Sequence, residues 1–249
     1  MRRNLTILLL VSVMPRCLSA QALAQRVAAV EEGTARLSFT ARPGVCGDWA
    51  DGIHVREKSD EWQADCASRP VRVALRVRGH RVYSVRTYVG GRWLPDRRST
   101  DLGTVGVQEA ADYFIGLAER IGDARVGGDP LLPAVLADSV VIWPSLLRLA
   151  RAPGVSKDTR SKAVFWLSQA AGDEVGIALD SIVHDGRGDR EVRKKAIFAL
   201  SQRSNDESVP ALIRIARISP DPELRKTALF WLGQSEDPRA LDLFEQILR

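Results

Sequence analysis

The segment Arg193–Gln202, "RKKAIFALSQ", occurs twice more in the chain with small changes. "RSKAVFWLSQ" begins at Arg160 and "RKTALFWLGQ" begins at Arg225, so the segment returns after 33 and then 32 residues. A near-constant period of this length is typical of stacked repeats, in which each unit buries its apolar face against its neighbours. The sequence therefore predicts an array of helical repeats.

Each repeat contains signals for two helices. Serine and aspartate side chains cap helix N-termini by accepting backbone N–H groups. They predict starts for the first helices at Ser156, Asp189 and Asp221, and for the second helices at Asp173, Asp206 and Asp237. "PSLLRLAR" at Pro144 matches "PALIRIAR" at Pro210, two periods later, which extends the array back to about residue 130.

The capped pattern "DPELRKTALFWLGQSEDPRALDLF" resembles HEAT repeats of the short, phycobilisome-lyase type. The whole chain resembles secreted bacterial HEAT-repeat proteins. This resemblance implies a scaffold that binds another protein. We expect a mainly α fold, an α-solenoid of HEAT-like helical pairs preceded by a small disulfide-bonded β-rich module. The expected parts are a signal peptide (1–24), the module (25–103), a covering helix and linker (104–129) and the repeats (130–249).

The N-terminus has the pattern of an export signal. Arg2 and Arg3 precede an apolar run, and small residues follow at Ala20, Ala22 and Ala24. This pattern predicts cleavage after Ala22 or Ala24 and a periplasmic or extracellular protein. The apolar run is too short to span a bilayer, so no membrane span is expected in the mature chain. The alternative is an uncleaved amphipathic start of a cytoplasmic protein.

Loss of the leader changes the net charge. The chain carries 36 basic and 31 acidic residues, a formal charge of +5. Removing Arg2, Arg3 and Arg16 leaves 33 basic residues and a charge of +2. So small an excess argues against a nucleic-acid partner.

Two cysteines remain after cleavage, Cys46 and Cys66. In an oxidising compartment this even pair predicts a disulfide, with two unpaired thiols as the alternative. The three histidines have no metal-ligand spacing with them, so no metal site is expected.

The β-rich module is predicted from alternating residues. "VRVALRVR" and "RVYSVRTYV" flank a Gly-His turn and predict a hairpin. "ARLSFTA" and "DGIHVRE" are weaker strand candidates, so three or four strands are expected. The segment "VQEAADYFIGLAERI" predicts an amphipathic helix that covers one sheet face.

The repeated helix is apolar nearly all round, which is typical of buried helices. We expect Trp166 and Trp231 to fill the core. Two adjacent rows of apolar residues are expected to seal one unit against the next: Val164, Ile197 and Leu229, and Phe165, Phe198 and Phe230. The alternative is that the phenylalanines form an exposed aromatic ridge that binds a partner. Recurring Arg160, Arg193 and Arg225 are expected to contact acids of adjacent turns. The small, mildly basic strip predicted to face outward is the candidate partner surface: Ser161, Lys194, Ser201 and Lys226.

A second candidate binding surface lies on the hairpin. Arginines alternate with its apolar residues and form a candidate anion face at Arg72, Arg76, Arg78 and Arg86. Such a face suits an anionic envelope polymer or a lipid head group. The alternative is an ordinary solvated sheet face.

The sequence contains no known catalytic fingerprint, so we expect no enzyme activity. A lyase-like or metal-dependent enzyme on HEAT-like repeats is a further alternative, and the absence of any His-Glu dipeptide argues against the deoxyhypusine hydroxylases. Asp48, Asp51 and Asp60 allow a calcium or sugar site in the disulfide loop, with a solvated turn as the simpler interpretation.

Overall fold

The structure is a computed structural model, and it describes residues 16–48, 61–67, 70–121, 128–170 and 172–248. The helices are α1 Arg16–Ala28, α2 Val107–Arg120, α3 Leu132–Val135, α4 Trp143–Arg151, α5 Lys157–Ser168, α6 Asp173–Val183, α7 Arg190–Ser201, α8 Asn205–Ile218, α9 Pro222–Gly233 and α10 Pro238–Leu248. The strands are β1 Glu32–Thr40, β2 Gly47–Asp48, β3 Trp62–Gln63, β4 Pro70–Arg78, β5 Arg81–Val89, β6 Arg92–Trp93 and β7 Ser99–Thr104. Within the described ranges, none of these helices has the length and apolar character needed to cross a membrane.

Five strands form one mixed sheet in the order β2-β5-β4-β1-β7. The predicted hairpin is present, because β4 and β5 pair antiparallel around Gly79 and His80. β1 also pairs antiparallel with β4, whereas β7 joins the other side of β1 in parallel. The predicted strand "DGIHVRE", residues 51–57, lies outside the described residues.

The inner face of the sheet contributes to the main hydrophobic core. The alternating residues of β1 and β4 that face inward are all buried: Ala35, Leu37, Phe39, Val71, Val73, Leu75 and Val77. As predicted, α2 supplies apolar side chains to this core, and the rings of Phe39 and Phe114 lie 6.4 Å apart. Apolar side chains recur at every second residue in the strands and at about every 3.6 residues in the helix. Each element therefore has one apolar face, and the two faces pack together.

Helix α1 packs against α2 and overlaps the predicted leader cleavage region. Its Leu23 side chain is 0% exposed, and the Val27 side chain is buried as well. The Arg26 guanidinium donates a hydrogen bond to the carbonyl of Leu102. Residues immediately after Ala22 therefore belong to the folded core. The start of the predicted leader, residues 1–15, lies outside the described residues.

The outer face of the sheet is partly covered by a small ribbon of β3 and β6. Trp62 is fully buried, stacks on Tyr88 at 5.0 Å and donates from Nε1 to the Gly90 carbonyl at 3.0 Å. Gly91 has φ +63°, and a Cβ at this position would lie 2.2 Å from the Gln63 carbonyl oxygen. Only glycine allows the ribbon to approach the sheet this closely.

The helices from α4 onward pack in two layers, with α5, α7 and α9 in one layer and α4, α6, α8 and α10 in the other. Three predicted caps are confirmed. Ser156 accepts from the Thr159 N–H at 3.1 Å, Asp189 from the Glu191 N–H and Asp221 from the Glu223 N–H.

The second helices begin differently from the prediction. Gly172 and Ser204 occupy the N-cap positions of α6 and α8, so Asp173 and Asp206 lie in the first turns. Asp237 precedes α10 as predicted and accepts from the Arg239 N–H at 2.9 Å. The Arg239 side chain also donates to Asp237 and lowers the pKa of this carboxyl to about 2. The first helix of the array, α3, is a single turn.

The β-rich module and the repeats share one continuous hydrophobic core. At their junction Ala41 forms a β-bridge with Ala137, and the Arg42 N–H donates to the Leu136 carbonyl at 2.9 Å. An ion pair of 2.7 Å between Arg148 and Glu119 connects α4 to α2. The junction is therefore packed and hydrogen-bonded.

The predicted disulfide between Cys46 and Cys66 is confirmed, with their Cα atoms 5.9 Å apart. The bond joins the segment at β2 to the segment that leads into β4. We expect the double variant Cys46→Ser/Cys66→Ser to lose about 3 kcal/mol in the free energy of unfolding, because its unfolded chain is no longer restricted. Urea denaturation followed by circular dichroism measures this loss. The unaltered protein is the reference, and an equal midpoint for the double variant and the unaltered protein would contradict the prediction.

Candidate functional site

Three phenylalanines at equivalent repeat positions lie on the protein surface. Phe165, Phe198 and Phe230 are 47%, 43% and 58% exposed. The expectation that they seal one unit against the next is therefore wrong for the phenylalanines. It agrees with the structure for Val164 and Ile197, one position earlier, which are buried. We call the three phenylalanines, together with Trp166 and Trp231, the aromatic ridge.

The position of the ridge follows from helix geometry. In α7 the exposed side chains recur as Glu191, Lys195, Phe198 and Gln202, a spacing of three or four residues that defines one helix face. The opposite face is buried, as shown by Ala196 at 0% exposure. Phe198 therefore lies in the middle of the only face that α7 presents to solvent, and the same pattern holds in α5 and α9.

The aromatic rings of the ridge contact one another in two groups, one on α5 and one across α7 and α9. The Phe198 and Trp231 rings lie 4.9 Å apart and connect α7 to α9. Phe165 contacts Trp166 edge to face at 4.9 Å, and Phe230 contacts Trp231 at 5.0 Å. The two tryptophans are half-buried and so fill the core only in part. These contacts hold the ridge in a defined arrangement before any partner binds.

An apolar cavity of about 400 Å³ lies beside the Trp166 end of the ridge. Its walls include Val135, Trp143 and Trp166, and the exposed side chain of Val141 also lines it. Trp166 is held in place because its Nε1 donates to Asp129 Oδ2 at 2.6 Å. The cavity extends the apolar surface of the ridge toward the β-rich module.

Lysines lie one helical turn before the phenylalanines. Lys162 pairs with Asp158 at 2.9 Å and Lys194 with Glu191 at 3.6 Å. The exposed Lys195 and Lys226 form no ion pair within the described part of the chain. The acids of α5 and α7 lie a further turn away from the ridge. The surface beside the phenylalanines is therefore basic.

The predicted partner strip is only partly on the surface. Ser161 is 7% exposed, so its predicted outward position is wrong. Lys194 and Ser201 are half-buried, and the Ser201 hydroxyl donates to the Phe198 carbonyl at 2.7 Å. Lys226 is exposed. A lysine at this repeat position reaches solvent by extending its stem, whereas the short serine side chain cannot do so.

The recurring arginines stabilise the repeats through backbone carbonyls. Arg193 donates from Nε to the Val183 carbonyl at 2.7 Å, and Arg225 donates to the Ser219 carbonyl at 2.7 Å. The expected contacts with acids of adjacent turns are not the main interactions of these two side chains. Carbonyl groups at a helix C-terminus lack partners within the helix, and the arginines satisfy them.

Three of the four arginines of the candidate anion face contact protein groups. Arg72 donates from Nε to the carbonyls of Gly90 and Gly91, and burial lowers the pKa of Arg72. Arg78 lies 5.2 Å from the centre of the Tyr83 ring.

Arg86 is the third, and it forms an ion pair of 3.3 Å with Glu61. Arg76 and Arg86 both line a cavity on this sheet face. Sequence reasoning missed Arg36, which is buried on the same face. The alternation in "ARLSFTA" places Arg36 on the same face of the strand as Ser38, opposite the apolar residues, and this pattern could have added Arg36 to the candidate anion face.

Within the described residues, no group of three or more His, Cys, Asp or Glu side chains is arranged to hold a metal ion. Asp48 lies at the end of β2 beside the disulfide. Asp51 and Asp60, the other two acids of the suggested calcium or sugar site, lie outside the described residues.

Comparison with known proteins supports the helical repeats. Residues 178–249 match the HEAT repeats family, which covers most of α6 and the helices from α7 to α10. This match supports a HEAT-repeat protein over that part of the chain. Neither a curated protein nor a solved structure matches the chain.

The different environments of adjacent residues in α7 predict different effects on stability. We expect Ile197→Ala to lower the free energy of unfolding by about 3 kcal/mol, because it leaves a cavity in the core. We expect Phe198→Ala to lower it by about 1 kcal/mol or less, because the ring is partly exposed already. Chemical denaturation of both variants measures the difference. A larger loss for Phe198→Ala would mean that this ring belongs to the core.

Proposed function

We infer that this protein is an exported, non-catalytic HEAT-repeat scaffold that binds a protein partner along the aromatic ridge. The observation that carries this proposal is the exposure of phenylalanine at the same position in three successive repeats. A large apolar patch on a protein surface usually marks an interaction site. Repeat arrays use such extended surfaces for recognition, and the HEAT repeats match supports this class of function.

The repeat geometry restricts the shape of the partner. Packed helices lie about 8–10 Å apart, so the phenylalanines of adjacent helices recur at about this interval. A segment in the polyproline II conformation advances about 9 Å per turn of three residues, so every third side chain lies on the same face. A partner segment with an apolar side chain at every third residue therefore matches the ridge. The apolar cavity beside Trp166 offers an anchor point at one end.

The charge beside the ridge restricts the chemistry of the partner. Lys195 and Lys226 are exposed next to Phe198 and Phe230. Carboxylates between the apolar residues of a partner would pair with these lysines, whereas basic residues would be repelled. The proposed partner is therefore an acidic, extended protein segment with regularly spaced apolar side chains. Aromatic anchors of this type commonly supply most of the binding free energy of an interface.

The non-catalytic part of the proposal depends on the sequence, which contains no known catalytic fingerprint. The proposal that the protein is exported is based on the signal-peptide pattern of residues 1–24. The disulfide between Cys46 and Cys66 supports export, because such bonds persist in oxidising compartments.

Selection from a library of random displayed peptides tests the binding proposal. Peptides of about 12 residues are long enough to span three ridge positions when extended. We expect enriched peptides to carry apolar residues at every third position and acids between them. Their dissociation constants, measured with synthetic copies by fluorescence anisotropy, should rise about ten-fold or more for Phe198→Ser, because the ring anchors the peptide.

The control variant for this experiment is Ile177→Ser/Leu241→Ser, which removes two exposed apolar side chains from the other helix layer. It should bind the enriched peptides as the unaltered protein does. Charge reversal at Lys195 and Lys226 should weaken binding and abolish the preference for acids. Enriched peptides that bind Phe198→Ser as tightly as the unaltered protein would overturn the assignment of the ridge.

Processing of the leader in a bacterial host with a periplasm tests export. We expect cleavage after Ala22, which keeps the buried Leu23 in the folded protein, whereas cleavage after Ala24 would remove it. N-terminal sequencing of the periplasmic protein should therefore begin at Leu23. Ala20→Leu should block this cut and Ala24→Leu should not, since small residues are needed three positions and one position before the cut. An unprocessed chain in the cytoplasm would overturn the export proposal.

A further inference from the structure

A second cavity, of about 810 Å³, lies on the outer face of the β-sheet, opposite the side covered by α1 and α2. We call it the arginine pocket, because four arginines line it: Arg36, Arg76, Arg86 and Arg98. Its volume lies in the range of small-molecule binding sites. The pocket shares no residue with the aromatic ridge. Any ligand of the pocket would therefore bind independently of a partner on the ridge.

The strand register brings three of these arginines together. Arg36 on β1 and Arg86 on β5 are both paired with Ala74 of β4. Arg76 lies two residues further along β4, so it is the diagonal neighbour of both. Diagonal neighbours on one sheet face are about 7–8 Å apart, within reach of long side chains. Three positive charges at this spacing repel one another unless negative charge balances them.

Arg36 is the most unusual of the four, because its side chain is only 4% exposed. One nitrogen, Nη1, donates to the Leu94 carbonyl at 2.9 Å. The Asp96 carboxylate is 3.8 Å from Nη2, which is beyond hydrogen-bond distance. Nε and Nη2 of Arg36 have no hydrogen-bond partner within the described ranges. A buried guanidinium with unused N–H groups is costly unless an anion compensates it.

The ring of Trp93 helps to fix the position of Arg36. Its guanidinium carbon lies 4.8 Å from the centre of the Trp93 ring, which belongs to the β3–β6 ribbon. Arg36 therefore lies between the ribbon and the sheet at the base of the pocket. Its positive charge is held in one place and is almost inaccessible to solvent.

The other arginines differ in how far they are neutralised. Arg86 pairs with Glu61, which also accepts a hydrogen bond from the Tyr88 hydroxyl at 2.7 Å. Burial alone would lower the pKa of Arg86, but Glu61 and Tyr88 outweigh burial and raise it. Arg76 and Arg98 have no ion pair with any residue that the structure describes, and Arg76 Nε is buried without a hydrogen-bond partner. Among the described residues, the pocket therefore has positive charge without an ion pair at Arg76 and Arg98, beside Arg36 and its long ion pair of 3.8 Å with Asp96.

The acids of the pocket restrict which anion fits. Glu32, Glu61 and Asp96 also line it. Their oxygens accept hydrogen bonds from hydroxyl groups. Arginine side chains bind carboxylates through paired N–H groups. The lining thus combines positions for one oxyanion with acceptors for several hydroxyls.

We propose that the arginine pocket binds an acidic sugar, with the sugar carboxylate at Arg76 and Arg98 above the buried charge of Arg36. The sugar hydroxyls then face Glu32 and Asp96. The source is either a free uronic acid or a uronic acid unit of a polysaccharide. Both sources present the same chemistry to the pocket.

Isothermal titration calorimetry of the purified protein at constant ionic strength tests this proposal. The probes are galacturonate, trigalacturonate and neutral galactose, with sodium chloride as the control for ionic strength. We expect saturable binding of at least one acidic probe and none of galactose. Binding of both acids at similar affinity indicates a free sugar, and a strong preference for trigalacturonate indicates a polysaccharide.

Two matched pairs of variants identify the site. Arg76→Gln should weaken binding about ten-fold or more, because a charged hydrogen bond is lost, whereas its exposed neighbour Arg78→Gln should not. Arg98→Gln and Arg97→Gln form a second pair in the loop before β7. Arg97 is exposed and does not line the pocket. These changes avoid the buried Arg36, whose replacement could prevent folding.

The proposal is overturned if neither acidic probe binds at up to about 10 mM. It is also overturned if Arg76→Gln and Arg98→Gln bind the acidic probes as tightly as their controls do. Phe198→Ser should retain binding of the acidic probe. This result separates the pocket from the proposed function of the ridge, and each can fail without the other.

Discussion

The two-layer packing of α5, α7 and α9 against the other helices constrains the rest of the repeat region. Each of these helices has a second layer behind it and neighbours in its own layer, so only one face of α7 remains for solvent. Small buried residues such as Ala163, Ala196 and Ala228 allow close approach to the second layer. The phenylalanines two positions later have no buried volume left to occupy. The exposed ridge is thus a consequence of close packing behind it.

The β-rich module shows a related effect on its outer sheet face. The β3–β6 ribbon brings Trp62 and Trp93 onto the sheet, and Gly91 permits the close contact. This cover converts an arginine-bearing face into a cavity with a buried guanidinium at its base. Charges that would be solvated on an open sheet are thereby held in a medium of lower effective dielectric, where their interactions are stronger.

Much of the fold could be predicted because its signals are local. The hairpin of β4 and β5, the helix α2 and the caps at Ser156, Asp189 and Asp221 each depend on residues near one another in the sequence. The disulfide could be predicted because Cys46 and Cys66 are the two cysteines outside the predicted leader. The parallel pairing of β7 with β1 and the β3–β6 ribbon were not predicted, because they join distant segments that carry no matching local pattern.

The sequence by itself determined the repeat period, the amphipathic elements and the residue types available at each site. Only the tertiary structure decided which apolar and basic residues reach the surface. A helix that is apolar nearly all round does not show which of Ile197 and Phe198 is buried, because the answer depends on where the neighbouring helices lie. The alternation in "ARLSFTA" likewise does not show that Arg36 is covered, because Trp93, which covers it, comes from a segment far along the chain. Burial is a property of the packed elements together, and an individual segment does not encode it.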